Sequence, residues 1–279
     1  MTWFARGRQR RDHPGFRPIQ LIGQDAIGHL WQATDSFTGV PVAIKIVRQS
    51  IGSNPVFVER FGSYASELMC PVVVEGKLSL RLSHPNVARL IEFREGDAAS
   101  RPIFVMESLQ GRLLADVLRE RGPLRAKEIA RIGFQVAEGI NAVHQADLVH
   151  GGVHPGNILL SPRGGAVSMD LGVIEALLFA GETAALEDLS PYLAPEVAAG
   201  ANLTPSSDVF SLGTLLRTMG TASTPGRYVP GIPQAMPLEM TRAFQEARAL
   251  DPRARPSMAA LQSVLLRFMD DPEIHTSRP

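Results

Sequence analysis

The hydrophobic pattern of this chain changes period once, close to residue 110, and that change constrains the fold more than any other feature. From Phe16 to about Glu107 the apolar residues come in short runs: IQLIGQ, HLWQATD, PVAIKIV, VARLIEF and PIFVMES. These are rich in β-branched and aromatic side chains, are broken by turn residues such as Thr38-Gly39, and read as strands. From Leu113 onward the apolar spacing is three and four, in LLADVLRERG, AKEIARIGFQVAEGINAVHQ, SSDVFSLGTLLRTMG, PLEMTRAFQEARAL and MAALQSVLLRFM. That is the spacing of one face of a helix, interrupted only by short strand signals at NILL and AVSMD. The fold class is therefore α+β: a small β-rich N-terminal lobe and a larger α-helical C-terminal lobe. A cleft is expected at the joint near Glu107–Gln110, where ligands commonly bind.

One principal helix is expected in the β-rich part, at residues 71–82, because Pro71 suits the first position of a helix over VVVEGKLSLRLS. The preceding RQSIGSNPVFVERFGSYASELMC shows no clear period and reads as an insertion over about 48–70. The expected boundaries are a basic arm at 1–13, carrying Arg6, Arg8, Arg10 and Arg11, lobes at 14–107 and 108–270, and a tail at 271–279.

Composition narrows the function classes. With 279 residues and 44% hydrophobic content, a sizeable core is available. Basic and acidic residues both number 28, so bulk positive charge does not point to a nucleic-acid partner. The single cysteine, Cys70, excludes an internal disulfide framework or a Cys-rich metal site. No apolar run approaches the roughly 20 residues of a membrane helix; the longest lies near Val173–Gly181. The segment MTWFARGRQRR lacks the apolar stretch of a signal peptide. The expectation is a cytoplasmic protein with no direct membrane insertion and no nucleic-acid partner.

Only three of the basic residues are lysines, and one of them, Lys45, sits inside the strand VAIK. A lysine there needs an anionic partner, because burying an unpaired ammonium is costly. Upstream, GQDAIG at 23–28 makes a turn between two strands. Glu75 supplies a carboxylate one turn into the expected helix. Asn157 precedes a strand in HPGNILL, and Asp170 ends one in MDLG. A lysine, two carboxylates and an amide oxygen suit phosphates and a hard divalent cation.

In order and spacing these motifs resemble the protein-kinase superfamily, particularly bacterial serine/threonine kinases, over about residues 16–269. YLAPE (192–196), SDVFSLG (207–213) and DPRARPS (251–257) carry much of the resemblance. It implies that Glu196 pairs with Arg255, that Asp208 anchors the catalytic loop and that His150 belongs to the hydrophobic interior. It further implies a site for ATP with Mg²⁺ or Mn²⁺. Lys45 would hold the α- and β-phosphates, Glu75 would be its helix partner, and Gly23 and Gly28 would flank the phosphate loop. Asn157 and Asp170 would take the metal. Met106 would be the gatekeeper, Glu107–Leu109 the hinge, and Leu30, Ala43 and Leu159 would sandwich the purine. The Lys45 pair also fits a purely structural role, and Glu59 and Glu67 stand as alternatives to Glu75.

The departures from the family pattern decide the expected function. The catalytic loop reads His150-Gly151-Gly152-Val153-His154-Pro155-Gly156-Asn157. Gly152 stands where the family has the aspartate that accepts the substrate proton, and His154 stands in place of the loop lysine. Asp25 replaces the middle glycine of the phosphate loop, adding like charge towards ATP. A missing general base alone costs about 10²–10⁴ in rate. The expectation is a pseudokinase that binds a protein partner as a scaffold or allosteric regulator and can be switched by nucleotide. The alternative is an ATP-dependent enzyme with non-standard chemistry, slow phosphotransfer or nucleotidyl transfer, using Lys45, Asn157 and Asp170. A third reading is interaction without nucleotide, with Asp25 and a collapsed cleft excluding ATP.

Overall fold

A computed structural model of the protein describes residues 15–74, 77–96, 100–222 and 236–269. In chain order the elements begin with strands β1 (Phe16–Gln24), β2 (Gly28–Asp35) and β3 (Pro41–Val47) and helices α1 (Gln49–Gly52) and α2 (Pro55–Met69). Strands β4 (Pro71–Val74), β5 (Lys77–Leu80), β6 (Leu90–Arg94), β7 (Ile103–Glu107) and β8 (Arg112–Leu113) follow. Then come helices α3 (Leu114–Arg121) and α4 (Ala126–Gln145), strands β9 (Ile158–Leu160) and β10 (Ala166–Ser168), and helices α5 (Val173–Ala180) and α6 (Thr183–Leu186). The chain closes with α7 (Pro195–Ala198), α8 (Pro205–Thr221), α9 (Leu238–Ala247) and α10 (Met258–Arg267). Contacts divide it into two units. One lies within Met1–Ser83, Ala88–Gln110 and Glu175–Leu186, the other within His84–Val87, Gly111–Ile174 and Glu187–Pro279.

The first unit is built on a five-stranded sheet in the order β1-β2-β3-β7-β6, with every neighbouring pair antiparallel. β3 is central and buried from Val42 to Val47, which suits its unbroken apolar run. Helix α2 packs on this sheet through Phe57, Phe61, Tyr64, Ala65 and Leu68, all buried. Phe61 stacks on Phe104 at 4.2 Å between centroids and meets the edge of Phe93 at 4.9 Å. Asn54 caps the helix, accepting from the Val56 N–H at 3.0 Å, and Pro55 stands in the first turn.

This helix corrects the sequence expectation. The principal helix of the unit is Pro55–Met69, inside the segment read as an insertion without a period, and residues 71–82 are not helical. Pro71–Val74 and Lys77–Leu80 pair as antiparallel strands instead. The physical reason is local: three consecutive valines favour a strand, and proline suits a strand's first residue as well as a helix's. The helical signal of 55–69 was present as apolar residues at 57, 61, 64, 65 and 68, with Asn54-Pro55 as its start.

The second unit is helical. The central helix α4 buries Ile129, Ile132, Val136 and Ile140 in one apolar cluster with Leu212, Leu215 and Leu216 of α8 and Leu261 and Leu265 of α10. Each such side chain contributes about 1.5–3 kcal/mol relative to exposure. Thr204 and Ser257 cap α8 and α10. A small sheet, β10-β9-β8, completes the unit. Among the described residues no helix is long and apolar enough to cross a membrane.

Arg255 ties this unit together. Its side chain is 1% exposed. Its guanidinium donates to both Glu196 carboxylate oxygens at 2.7 Å, to Ser206 O at 3.0 Å and to Ala249 O at 2.9 Å. The Arg255 hydrogen bond, acting against the desolvation of Glu196, holds that carboxyl below its ordinary value of 4.5. A carboxyl with a depressed folded-state pKa contributes stability that is fully present above its unfolded pKa and is lost as pH falls through the folded value. Urea unfolding of the wild type is therefore expected to weaken as pH drops below 4.5. Glu196→Gln should be less stable at neutral pH and show a flatter acid limb. Parallel acid limbs would count against this role for Glu196.

Candidate functional site

The first unit holds the lysine. β3 carries Lys45 opposite Leu30 of β2 and Phe104 of β7, and the lysine is 3% exposed. Its ammonium lies 2.6 Å from Asp25 Oδ2. The other oxygen, Asp25 Oδ1, accepts from the backbone N–H groups of Ile27 at 2.9 Å and Gly28 at 2.8 Å. Arg48 closes the turn from outside, donating through Nε and Nη2 to the Asp25 carbonyl at 3.0 and 2.7 Å. Burial raises the Asp25 pKa, but the Lys45 charge and hydrogen bond, with the Gly28 and Ile27 N–H groups, outweigh it and keep the carboxyl below its ordinary range. Asp25 is thus an ionised side chain that engages both the strand lysine and the amides of the turn.

Gly28 is glycine for a packing reason. A Cβ there would lie 2.2 Å from Ile46 O, where β2 meets β3. Gly23 pairs with Leu30 across the β1–β2 hairpin. Ala43 and Met106 face each other across β3 and β7 and are 0% and 3% exposed, and Leu30 and Leu109 are buried as well. Glu107 lies at the end of β7, beside Arg89 of the same unit.

Glu75 lies outside the described residues, and the residues flanking it are strands. Of the alternatives on α2, Glu59 is exposed and Glu67 pairs with Arg81 at 2.6 Å. The face that α2 presents to the sheet is aromatic and aliphatic, without an acid. Asp25, read from the sequence only as a repulsive departure, is a carboxylate that meets the lysine.

The second unit holds the loop 150–157 and Asp170. Asp208, fully buried on α8, accepts from the N–H groups of His150 at 2.9 Å and Gly151 at 2.8 Å and lies 2.8 Å from His144 Nε2. Gly151 has φ +72°, a conformation that a residue with a side chain rarely adopts. His150 is fully buried; burial pulls its pKa down against the opposing charge of Asp208. His154 Nδ1 accepts from Gly156 N–H at 3.1 Å and caps the short turn that positions Asn157, which is a structural contact. Leu159 on β9 is 1% exposed.

Asn157 is 0% exposed. Its amide nitrogen donates to Gly152 O at 3.0 Å, while its Oδ1 is buried and accepts no hydrogen bond. A buried amide oxygen left without a donor is costly unless another group engages it, and a hard divalent cation takes oxygen ligands. Asp170, 6% exposed, follows β10 with φ +62°, in the left-handed region that aspartate tolerates better than most residues. These two residues fit a Mg²⁺ or Mn²⁺ site that keeps phosphate oxygens as further ligands. Among the described residues no group of three or more His, Cys, Asp or Glu side chains forms a self-sufficient metal site.

Helix α5, directly after Asp170-Leu171-Gly172, was missed by the sequence reading. Its run Val173–Gly181 was weighed only against a membrane span. From Glu175 onward it belongs with the first unit, where Arg60 of α2 pairs with Glu175 and lies 4.2 Å from the centre of the Phe179 ring. Asn54 adds hydrogen bonds to Ala180 O at 3.2 Å and Glu182 Oε1 at 2.7 Å. The segment beyond Asp170 is therefore helical and held against α2.

Comparison with known proteins places these features in a family. A model described as the protein kinase domain matches residues 16–229. The serine/threonine-protein kinase PknA of Mycobacterium tuberculosis is 32% identical over 205 residues, covering 72% of this chain and 45% of that protein. A probable serine/threonine-protein kinase of Streptomyces coelicolor, SCO3848, is 27% identical over 260 residues, covering 91% of this chain and 36% of that protein. The matches thus span less than half the length of these relatives. Among solved structures, the PknI kinase domain of Mycobacterium tuberculosis superposes with a TM-score of 0.72 at 19% identity, covering 91% of this chain and 96% of that one. That likeness speaks for the fold.

Proposed function

Given that this chain belongs to the protein kinase domain family, we propose that it is a pseudokinase. It acts by binding a protein partner as a scaffold or allosteric regulator, and nucleotide modulates that role. The observation that carries the reading is Asp25. Its carboxylate engages Lys45 Nζ and the Ile27 and Gly28 N–H groups, the donors that the family uses for phosphates. ATP must compete with this internal anion. Gly152 supports the same reading, because it has no side chain to orient or deprotonate a hydroxyl. The helical segment held on α2 after Asp170 supports it as well, since a packed helix offers no extended edge to a peptide substrate.

Lys45 would hold phosphate and Asn157 and Asp170 the divalent cation when nucleotide binds. The metal would neutralise phosphate charge there. The chain's own residues set the balance: Asp25 opposes the phosphates, Arg48 holds the Asp25 turn, and the uncompensated Asn157 oxygen favours the cation. That oxygen also favours the second reading, an ATP-dependent enzyme of non-standard chemistry. Covalent labelling of a target by adenine-labelled ATP would support that reading over ours.

Thermal-shift titration with ATP, with and without Mg²⁺ or Mn²⁺, tests the balance through stabilisation by mass action. Asp25→Gly should bind Mg-ATP about tenfold more tightly than the wild type, equivalent to about 1.4 kcal/mol. Lys45→Ala should lose the response. Equal affinity in Asp25→Gly and wild type would remove Asp25 as the competing anion. Wild-type transfer of phosphate to a Ser/Thr peptide, abolished by Asp170→Ala, would sink the pseudokinase reading altogether.

A further inference from the structure

The second unit contains a cavity of about 70 Å³ lined by α8 and α9 and unrelated to Lys45. Arg217 projects from α8, and Arg248 follows the last turn of α9. Both are partly buried, and among the described residues neither pairs with a carboxylate. Of the acids near them in sequence, Glu239 pairs with Arg267 and Asp251 with Arg253, while Glu246 of α9 is exposed. Desolvation lowers the proton affinity of Arg248, and the Arg217 charge lowers it further, so two like charges converge with no anion between them among the described residues.

Arg248 is held in place rather than left loose. Gly213 of α8 admits its stem; a Cβ there would lie 3.0 Å from Arg248 Cγ and 2.7 Å from Ala247 Cβ. Its Nε donates to Thr214 Oγ1 at 3.2 Å, and among the described residues neither terminal nitrogen of the guanidinium has a protein acceptor. Thr241 and Gln245 add polar side chains to the wall, and Phe244 and Met236 add an apolar face. Fixed guanidinium donors beside an apolar wall match a planar or tetrahedral oxyanion attached to an apolar group.

We propose that this cavity binds a small organic oxyanion, a phosphate monoester or a carboxylate. Arg217 and Arg248 grip the anionic group, and Phe244 and Met236 receive the apolar body. The site is independent of the nucleotide reading above, since it shares no residue with it.

The test is thermal shift and isothermal titration of the full chain with phenyl phosphate, benzoate, inorganic phosphate and, as the neutral control, phenol. Saturable stabilisation is expected with phenyl phosphate or benzoate and not with phenol; the stronger of the two identifies the head group. Arg217→Gln should weaken the binding by about tenfold or more, and Arg217→Lys less, because the charge remains while the fork is lost. Arg217 is the residue to change because the Arg248 stem is packed against α8. Lys45→Ala should bind as the wild type does. The proposal fails if no anionic probe gives a saturable shift. It also fails if Arg217→Gln binds as well as wild type, or if Lys45→Ala alone abolishes binding.

Discussion

Restoring an aspartate at position 152 together with a glycine at position 25 is expected to raise phosphoryl transfer from Mg-ATP to a Ser/Thr peptide by about 10²–10⁴-fold over the wild-type background, the range that a positioned general base contributes. The backbone accepts the change at modest cost. Gly152 is not among the residues with positive φ. A Cβ on it would meet Asn157 Nδ2 at 3.1 Å and Ile174 Cγ1 at 3.2 Å, so these neighbours must yield by a few tenths of an ångström. The new carboxylate would lie beside the amide that now donates to Gly152 O, a partner suited to it. Removing Asp25 takes away one anion at Lys45 and returns the Ile27 and Gly28 N–H groups to a ligand. Its own cost is about 1.5–3 kcal/mol, the net worth of a hydrogen bond to a charged group. The measurement is transfer of labelled phosphate, with nucleotide binding checked in parallel. A double variant that binds Mg-ATP yet transfers no faster than wild type would show that the missing base is not what limits the chain.

Arg255→Ala is expected to destabilise the protein by about 3–5 kcal/mol, the cost of breaking a buried ion pair from one side. That is a large part of the roughly 5–15 kcal/mol of a typical domain. The truncation deletes donors to Glu196, Ser206 and Ala249 and the guanidinium that sits 5.0 Å from the centre of the Phe210 ring. The Glu196 side chain is 20% exposed and regains some solvation, which places the effect towards the lower end. Arg255→Lys should recover only part, because an ammonium cannot form the two parallel bonds. Urea unfolding checks both. A loss below about 1 kcal/mol for Arg255→Ala, within the reach of an ordinary surface pair, would refute the buried role.

Buried polar residues and the main helices of the second unit were legible as local pattern. VAIK located a buried lysine, MDLG and HPGN located Asp170 and Asn157, and the helical periods of 126–145 and 205–221 became α4 and α8. The misreadings have specific causes. Pro71 is compatible with the start of a helix or a strand, and the three valines after it settled the matter towards β-pairing with Lys77–Leu80. The period of 55–69 was interrupted by polar residues and by Gly62, so its aromatic face was overlooked. The run 173–181 is apolar almost throughout and has little amphipathic contrast, which hid a helix whose anchors, Arg60 and Asn54, lie more than a hundred residues upstream. The arginines of the α8–α9 cavity are 31 positions apart, and nothing in their local sequence marks them as neighbours.

By itself the sequence determined the α+β division and the family, because each is written in periodicity or in the identity of residues at motif positions. Only the tertiary structure brought the carboxylate of Asp25 to Lys45. Electrostatic partnership is a matter of distance and burial, not of motif. The hairpin β1–β2 brings Asp25 within 2.6 Å of an ammonium 20 residues away, while helix α2 turns aromatic rings to the sheet. A departure that reads as repulsion in one dimension becomes an ion pair in three.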